Sequence, residues 1–295
     1  MPTFKTLISG MSFTECPRWH DGRLYFSDFY TRRVLAITLD GTSETIAEVP
    51  AQPSGLGFLP DGRMLIVSMC DRKILRREFD GSVVEHANLS DLAPWHLNDM
   101  LVDHQGRAWV GNFGFDLMGG ARVAATKLIC VDRDGRASVA ADALGFPNGM
   151  VLTPNGTLIV AETTMNRLSA FEIAAGVPGR RWTWAAFGDP PTSTDFAELF
   201  SQVDVAPDGI CLDVEGAIWV ADGKVGRLLR VAEGGSILQE FKTEGLSVFA
   251  CMLGGPDGRT LFACVAPTFH EAAASANHRA EIWMTDVDVP RAGLP

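Results

Sequence analysis

The 295-residue chain has no cysteine pair at the spacing of a metal knuckle or a redox motif; its six cysteines stand apart at positions 16, 70, 130, 211, 251 and 264. That spacing argues against a disulfide framework or a zinc cluster and reads as reduced thiols in the core. No apolar run approaches the roughly 18 residues that a membrane span requires. The opening MPTFKTLISGMSFTE lacks the basic start and long apolar stretch of a secretory signal, so the expected compartment is the cytoplasm. Positive charge is scarce: 25 Lys and Arg stand against 36 Asp and Glu, a net −11. A non-specific nucleic-acid binder needs a basic face, and this balance argues against that class. No stretch of about 10–15 residues carries the 3.6-residue period of a helical repeat. There is also no G-x-S-x-G elbow, which removes the commonest serine-hydrolase pattern.

What is present is a turn that keeps coming back. Short runs of β-branched and apolar residues alternate around Asx-Gly or Gly turns, the pattern of antiparallel hairpins. PRWHDGRLYFSDFYTRRVLAITLDG is the first unit and GLGFLPDGRMLIVSMCDRKILRREFDG the second. DMLVDHQGRAWVGNFG, GMVLTPNGTLIVAET, GICLDVEGAIWVAD and CMLGGPDGRTLFACV repeat it. The first-turn glycines 22, 62, 106, 156, 216 and 258 are separated by 40, 44, 50, 60 and 42 residues. A second turn follows at Gly41, Gly81, Gly135, Gly176 and Gly235. A period of about 40–45 residues with several strands per unit predicts a propeller blade. The expectation is therefore an all-β, six-bladed β-propeller forming one domain over 1–295. Its blades fall near 11–50, 51–93, 94–144, 145–190, 204–246 and 247–290, with residues 1–10 supplying the outer strand of the last blade and closing the ring. Two excess lengths, around 110–126 and 183–206, read as functional loops.

The innermost strands of a propeller line its channel, so matched positions in the blades face one another. Eight residues before the first-turn glycine lie Ser54, Asn98, Asn148, Asp208 and Ala250; seven before it in the first blade lies Glu15. Glu15, Asn98, Asn148 and Asp208 thus form a ring of carboxylate and carboxamide oxygens, the donors that hard divalent cations select. Singly, Asn148-Gly149 and Asp208-Gly209 also read as turn dipeptides.

The motifs ECPRW (15–19), LNDMLVDHQGRAWVG (97–111), FPNGMVLTPNGTLIVAET (146–163) and PDGICLDVEGAIWVA (207–221) resemble those of the SMP-30/gluconolactonase/luciferin-regenerating-enzyme (LRE)-like family over nearly the whole chain. The resemblance implies one divalent metal ion in the channel, held by Glu15, Asn148 and Asp208, with Asn98 contacting substrate or a water on the metal. It also implies Asp208 as candidate general base and hydrolysis of lactones as the activity. Calcium, zinc, manganese and iron(II) all suit such donors. Sugar lactonases of the family often carry arginine where this chain has His96, which shifts the expectation away from sugar acids.

The candidate reaction is metal-dependent hydrolysis of a sugar lactone or a small alkyl or aryl lactone. The metal would act as Lewis acid, and a near-neutral His96 is able to bind substrate or shuttle a proton. Phe113 and Phe115, in the glycine-rich 111–126 insertion, are candidate substrate contacts in a lid beside Asn98. Two other readings stay open at this point: a phosphotriesterase-like metallohydrolase and a non-catalytic binding propeller. The oxygen ring favours an enzyme over a scaffold. The expected partner is a small-molecule lactone, with no nucleic acid and no membrane.

Overall fold

The computed structural model describes residues 3–174 and 176–294. It contains six four-stranded antiparallel sheets. A lone N-terminal strand, β1 (Lys5–Met11), precedes the first sheet. Blade one follows as β2 (Thr14–His20), β3 (Arg23–Asp28), β4 (Arg33–Ile37) and β5 (Ser43–Glu48). Blade two is β6 (Pro53–Phe58), β7 (Met64–Ser68), β8 (Lys73–Arg77) and β9 (Val83–Asn88). Blade three is β10 (Leu97–Val102), β11 (Ala108–Asn112), β12 (Thr126–Val131) and β13 (Ala137–Leu144). Blade four is β14 (Pro147–Leu152), β15 (Thr157–Glu162), β16 (Arg167–Ala174) and β17 (Val177–Ala186). After α1 (Phe196–Gln202), blade five is β18 (Pro207–Leu212), β19 (Ile218–Asp222), β20 (Arg227–Val231) and β21 (Ile237–Lys242). Blade six is β22 (Ser247–Gly254), β23 (Thr260–Ala266), then α2 (Glu271–Asn277) and β24 (Ala280–Asp286). β1 lies on its outer edge, pairing antiparallel with β24 through Lys5↔Met284 and Ile8↔Ile282.

The first strand of each blade touches the first strand of the next, and β22 returns to β2, so the blades form a closed six-membered ring. The fold is a six-bladed β-propeller. Hydrophobic packing lies between neighbouring blades rather than in one central core. Leu24 and Phe26 of blade one, Trp219 of blade five and Phe262 of blade six share one such layer. At 1% exposure or less, Trp109 and Trp219 are among the largest side chains wholly removed from water. Burying an aromatic side chain this completely contributes about 2–3 kcal/mol.

The inner strands approach so closely that side chains are excluded from part of the ring. A Cβ on Gly149 would lie 2.6 Å from the Asp208 carbonyl oxygen, and one on Gly209 would lie 2.6 Å from the Ala250 Cα. Asn148-Gly149 and Asp208-Gly209 are therefore strand residues and not turns. The glycine makes room for the next blade, and the preceding Asn or Asp is left beside the channel.

Two features differ from the sequence reading. The long segment before blade five contains α1, capped by the Asp195 carboxylate, which accepts from the Glu198 N–H at 3.0 Å. At seven residues, α1 and α2 are too short to show a helical period. Cys70 is exposed and not a core thiol, because it stands just beyond the end of β7; the other five cysteines are buried. Among the described residues, no helix is long and apolar enough to cross a membrane.

Candidate active site

Each inner strand breaks register with its partner near the channel. The interruptions fall between Glu15 and Arg18, Pro53 and Leu56, Leu97 and Met100, Pro147 and Met150, Pro207 and Ile210, and Val248 and Ala250. A bulge re-aims side chains that a regular strand would send into the sheet faces. In β2 the bend places Cys16 at a φ of 52°, a left-handed conformation that a non-glycine residue adopts only under constraint. The Cys16 N–H then donates to the Glu15 carboxylate at 3.1 Å, holding that side chain toward the channel.

Glu15, Asn98, Asn148 and Asp208 all line one cavity of about 230 Å³. Ser54 is fully buried beside Cys16 instead, at 3.7 Å from its sulfur. In blade six the bulge turns Phe249 toward the cavity, and Ala250 packs in the core. The ring is thus four oxygen-bearing side chains and one phenyl group.

Its electrostatics are unusual for a protein interior. Burial, followed by the negative charges of Asp208 and Asp99, pushes the Glu15 carboxyl well above its ordinary range. Burial, followed by Asp99, does the same to Asp208, against hydrogen bonds from Asn148 and the Gly209 backbone. Among the described residues, the cation that acts on Glu15, Arg18, is committed elsewhere. Arg18 donates to Asp99 at 2.6 Å and to the Met100, Leu56 and Pro17 carbonyls. Two buried carboxylates without a neutralising side chain are costly unless a cation joins them or they protonate.

The two carboxamides are distinguished by their partners. The Thr163 hydroxyl donates to the Pro207 carbonyl at 2.8 Å, so its oxygen is able only to accept from Asn148 at 3.1 Å. That fixes the Asn148 nitrogen on Thr163 and leaves its oxygen free for another partner. The Asn98 nitrogen is buried and has no hydrogen-bond partner. A donor in that state calls for an acceptor from a bound molecule. Among the described residues there is no cluster of three His, Cys, Asp or Glu side chains able to hold a metal ion. Any cation here relies on amide oxygen as well as carboxylate. The donor set fits a hard divalent ion: two buried acids and one oriented amide oxygen.

The rim is aromatic. His96 lines the cavity, stacked on Trp95 with ring centroids 5.0 Å apart, and burial lowers its pKa. Phe113 also lines it, 4.5 Å from the Phe146 ring. Phe115 does not. It packs behind the wall, 6.2 Å from Phe146 and 6.3 Å from Phe196, because the chain folds back at Phe115 into the 116–120 turn. The 111–126 insertion is tied to the second long segment through Val123 N–H to Thr194 carbonyl at 2.8 Å and Arg122 to the Thr194 hydroxyl. Sequence reasoning missed the Arg18–Asp99 pair, the Thr163 anchor and the walls supplied by α1 and the segment entering α2. ECPRW and LNDM contain the first pair, but nothing in their spacing joins residues 81 positions apart.

The family model described as SMP-30/Gluconolactonase/LRE-like region matches residues 13–266. The chain belongs to the SMP-30/gluconolactonase/LRE-like family. A pentonolactonase from Haloferax volcanii is 27% identical over 258 residues, covering 85% of this chain and 81% of that protein. A 6-deoxy-6-sulfogluconolactonase from Pseudomonas putida is 25% identical over 289 residues, covering 95% and 93%. The crystal structure of a calcium-binding protein, regucalcin, from Agrobacterium tumefaciens superposes with a TM-score of 0.81 at 22% identity, covering 100% of this chain and 97% of that one. This last likeness is one of fold.

Proposed function

We propose that this member of the family hydrolyses lactones with the help of one divalent metal ion. The observation that carries the reading is the pair of buried carboxylates, Glu15 and Asp208, beside the oriented Asn148 oxygen in a single cavity. Its lactonase relatives point to the same reaction class. Glu15, Asn148 and Asp208 would hold the ion, which supplies Lewis-acid polarisation of the ester and activation of water.

The remaining work falls to side chains. Asp208 accepts a proton as water attacks the carbonyl carbon. The unpartnered Asn98 amide donates to the carbonyl oxygen as negative charge develops on it. The ring C–O bond then breaks, the leaving oxygen takes up a proton, and one hydroxy acid results from one lactone and one water. Burial lowers the His96 pKa and so favours the neutral ring, which suits a hydrogen-bonding residue on the wall better than a cation.

The test is a substrate panel. Protein stripped of metal and reloaded with calcium, manganese, zinc or iron(II) is offered aldonolactones, alkyl and aryl lactones, and phosphotriesters. Lactone turnover that vanishes on chelation and returns with metal is the expected result. Phosphotriester turnover without lactone turnover, or lactone turnover indifferent to a chelator, would overturn the reading.

A further inference from the structure

The cavity is acidic where the chemistry would occur and aromatic almost everywhere else. Phe13 and Phe29 enter it from blade one, Phe249 from blade six, and Phe146 from the approach to blade four. Phe196 and Phe200 reach it from α1, and Phe269 from the turn before α2. Leu117 and Met118 of the 111–126 insertion complete the rim, Met118 being 51% exposed. These rings come from separate blades and both helical insertions, so one blade's packing does not explain them.

Outside the oxygen ring, both hydroxyl groups that face the cavity are engaged, and Gln52 and His96 are the uncharged polar side chains that remain on its wall. The Tyr30 hydroxyl donates to the Phe269 carbonyl, and the Thr163 hydroxyl to the Pro207 carbonyl. No arginine or lysine is among the described residues that line the cavity, and Glu271 adds a negative charge at its rim. A polyhydroxylated lactone would turn several hydroxyl groups toward phenyl rings, losing their hydrogen bonds to water. An anionic lactone would meet carboxylates and no side-chain cation.

We propose that the substrate is an uncharged lactone bearing an aryl ring or an alkyl chain, with the ester at the Glu15–Asn98–Asn148–Asp208 ring and the apolar part against the phenylalanines. This substrate class rests on the lactone-hydrolase reading above. Each methylene it buries tightens binding about fourfold.

The experiment separates binding from turnover. Calorimetry on the metal-loaded protein compares two lactams, which resist hydrolysis: dihydroquinolinone, with a fused aryl ring, and gluconolactam, with sugar hydroxyls. Dihydroquinolinone is expected to bind at least about tenfold tighter, with a negative heat-capacity change. In parallel, kcat/KM is measured for dihydrocoumarin, alkyl-substituted δ-lactones and gluconolactone. Phe196→Ser, a half-buried position on a surface helix, should weaken dihydroquinolinone about tenfold and leave gluconolactam unchanged. Equal or tighter binding of gluconolactam, or a Phe196→Ser protein that binds both lactams as before, overturns the substrate class whatever the turnover. Tight dihydroquinolinone binding with no turnover of any lactone upholds the apolar cavity and overturns the hydrolase reading instead.

Discussion

Glu15→Gln keeps the size of the side chain and removes one charge, so it separates shape from electrostatics at the ring. With Asp208→Asn it should lower kcat/KM by about 100-fold or more, and metal content after dialysis should fall in parallel. Either variant with normal metal and near-normal turnover would show that the ring is not the site. Asn98→Ala asks a different question. Its nitrogen has no protein partner, so removing it leaves no internal bond broken. Metal content should stay intact, while kcat drops about 100-fold, as for a lost donor to a developing oxyanion. A change confined to KM would assign Asn98 to ground-state binding. Phe249 shows how an offset fails by one residue: counting back from Gly258 reaches Ala250, but the bulge after Val248 exposes its neighbour.

Within three of the blades, a clasp recurs at the end of the second strand, written in the sequence as an acid followed five residues later by arginine. Asp28, Glu162 and Asp222 each end that strand, and each is followed five residues later by Arg33, Arg167 or Arg227. Their carboxylates accept backbone N–H groups from the chain entering the same blade: Ser12 and Phe13, Gly145, and Ala206. Glu162 also binds Arg167 at 2.9 Å, Arg181 at 2.9 Å and the Ser169 hydroxyl. Burial alone would raise its pKa, but the bonds from Arg167 and Ser169 and the Gly145 N–H outweigh it and hold the carboxyl below its ordinary value of 4.5. A depressed acid stabilises the fold above the unfolded value, and that stability disappears as pH falls through the lower folded value. The native protein should therefore lose this contribution below about pH 4.5. Glu162→Gln should cost about 3 kcal/mol at neutral pH and flatten that part of the acid-denaturation curve. Urea titrations from pH 3 to 7 check it; parallel curves for the two proteins would refute the clasp. The hairpin period and the turn glycines were legible because each is a local requirement on backbone or patterning. The close approach behind Gly149 and Gly209 and the aromatic wall join residues from different blades, where no short-range spacing records them, and the bulges shift strand register without changing the spacing of the turns.

The ring as a whole is held shut by the chain's beginning meeting its end. β1 hydrogen-bonds along β24, and Thr6 adds a side-chain bond to Glu281 at 3.1 Å. Phe4 lies 5.7 Å from Trp283 of the same blade and 6.3 Å from Phe241 of blade five, so the first residues also bridge two blades. Without them, β24 becomes an edge with free N–H and C=O groups on a sheet whose faces are apolar, a template for another chain. Removing residues 1–10 deletes Phe4 and nearly all of β1, yet touches no residue of the cavity. The melting temperature should fall by on the order of 10 °C, since each kcal/mol in a chain of this size moves it by a few degrees. Size-exclusion chromatography should show concentration-dependent association through the new edge. The proposed metal ligands sit on the opposite, innermost strands, so any metal binding of the intact protein, measured at low temperature, should survive the truncation. A truncated protein that stays monodisperse with an unchanged melting temperature would mean that the other blades close the ring without β1. Loss of metal binding together with the fold would instead place the inner ring and the outer seam in one cooperative unit.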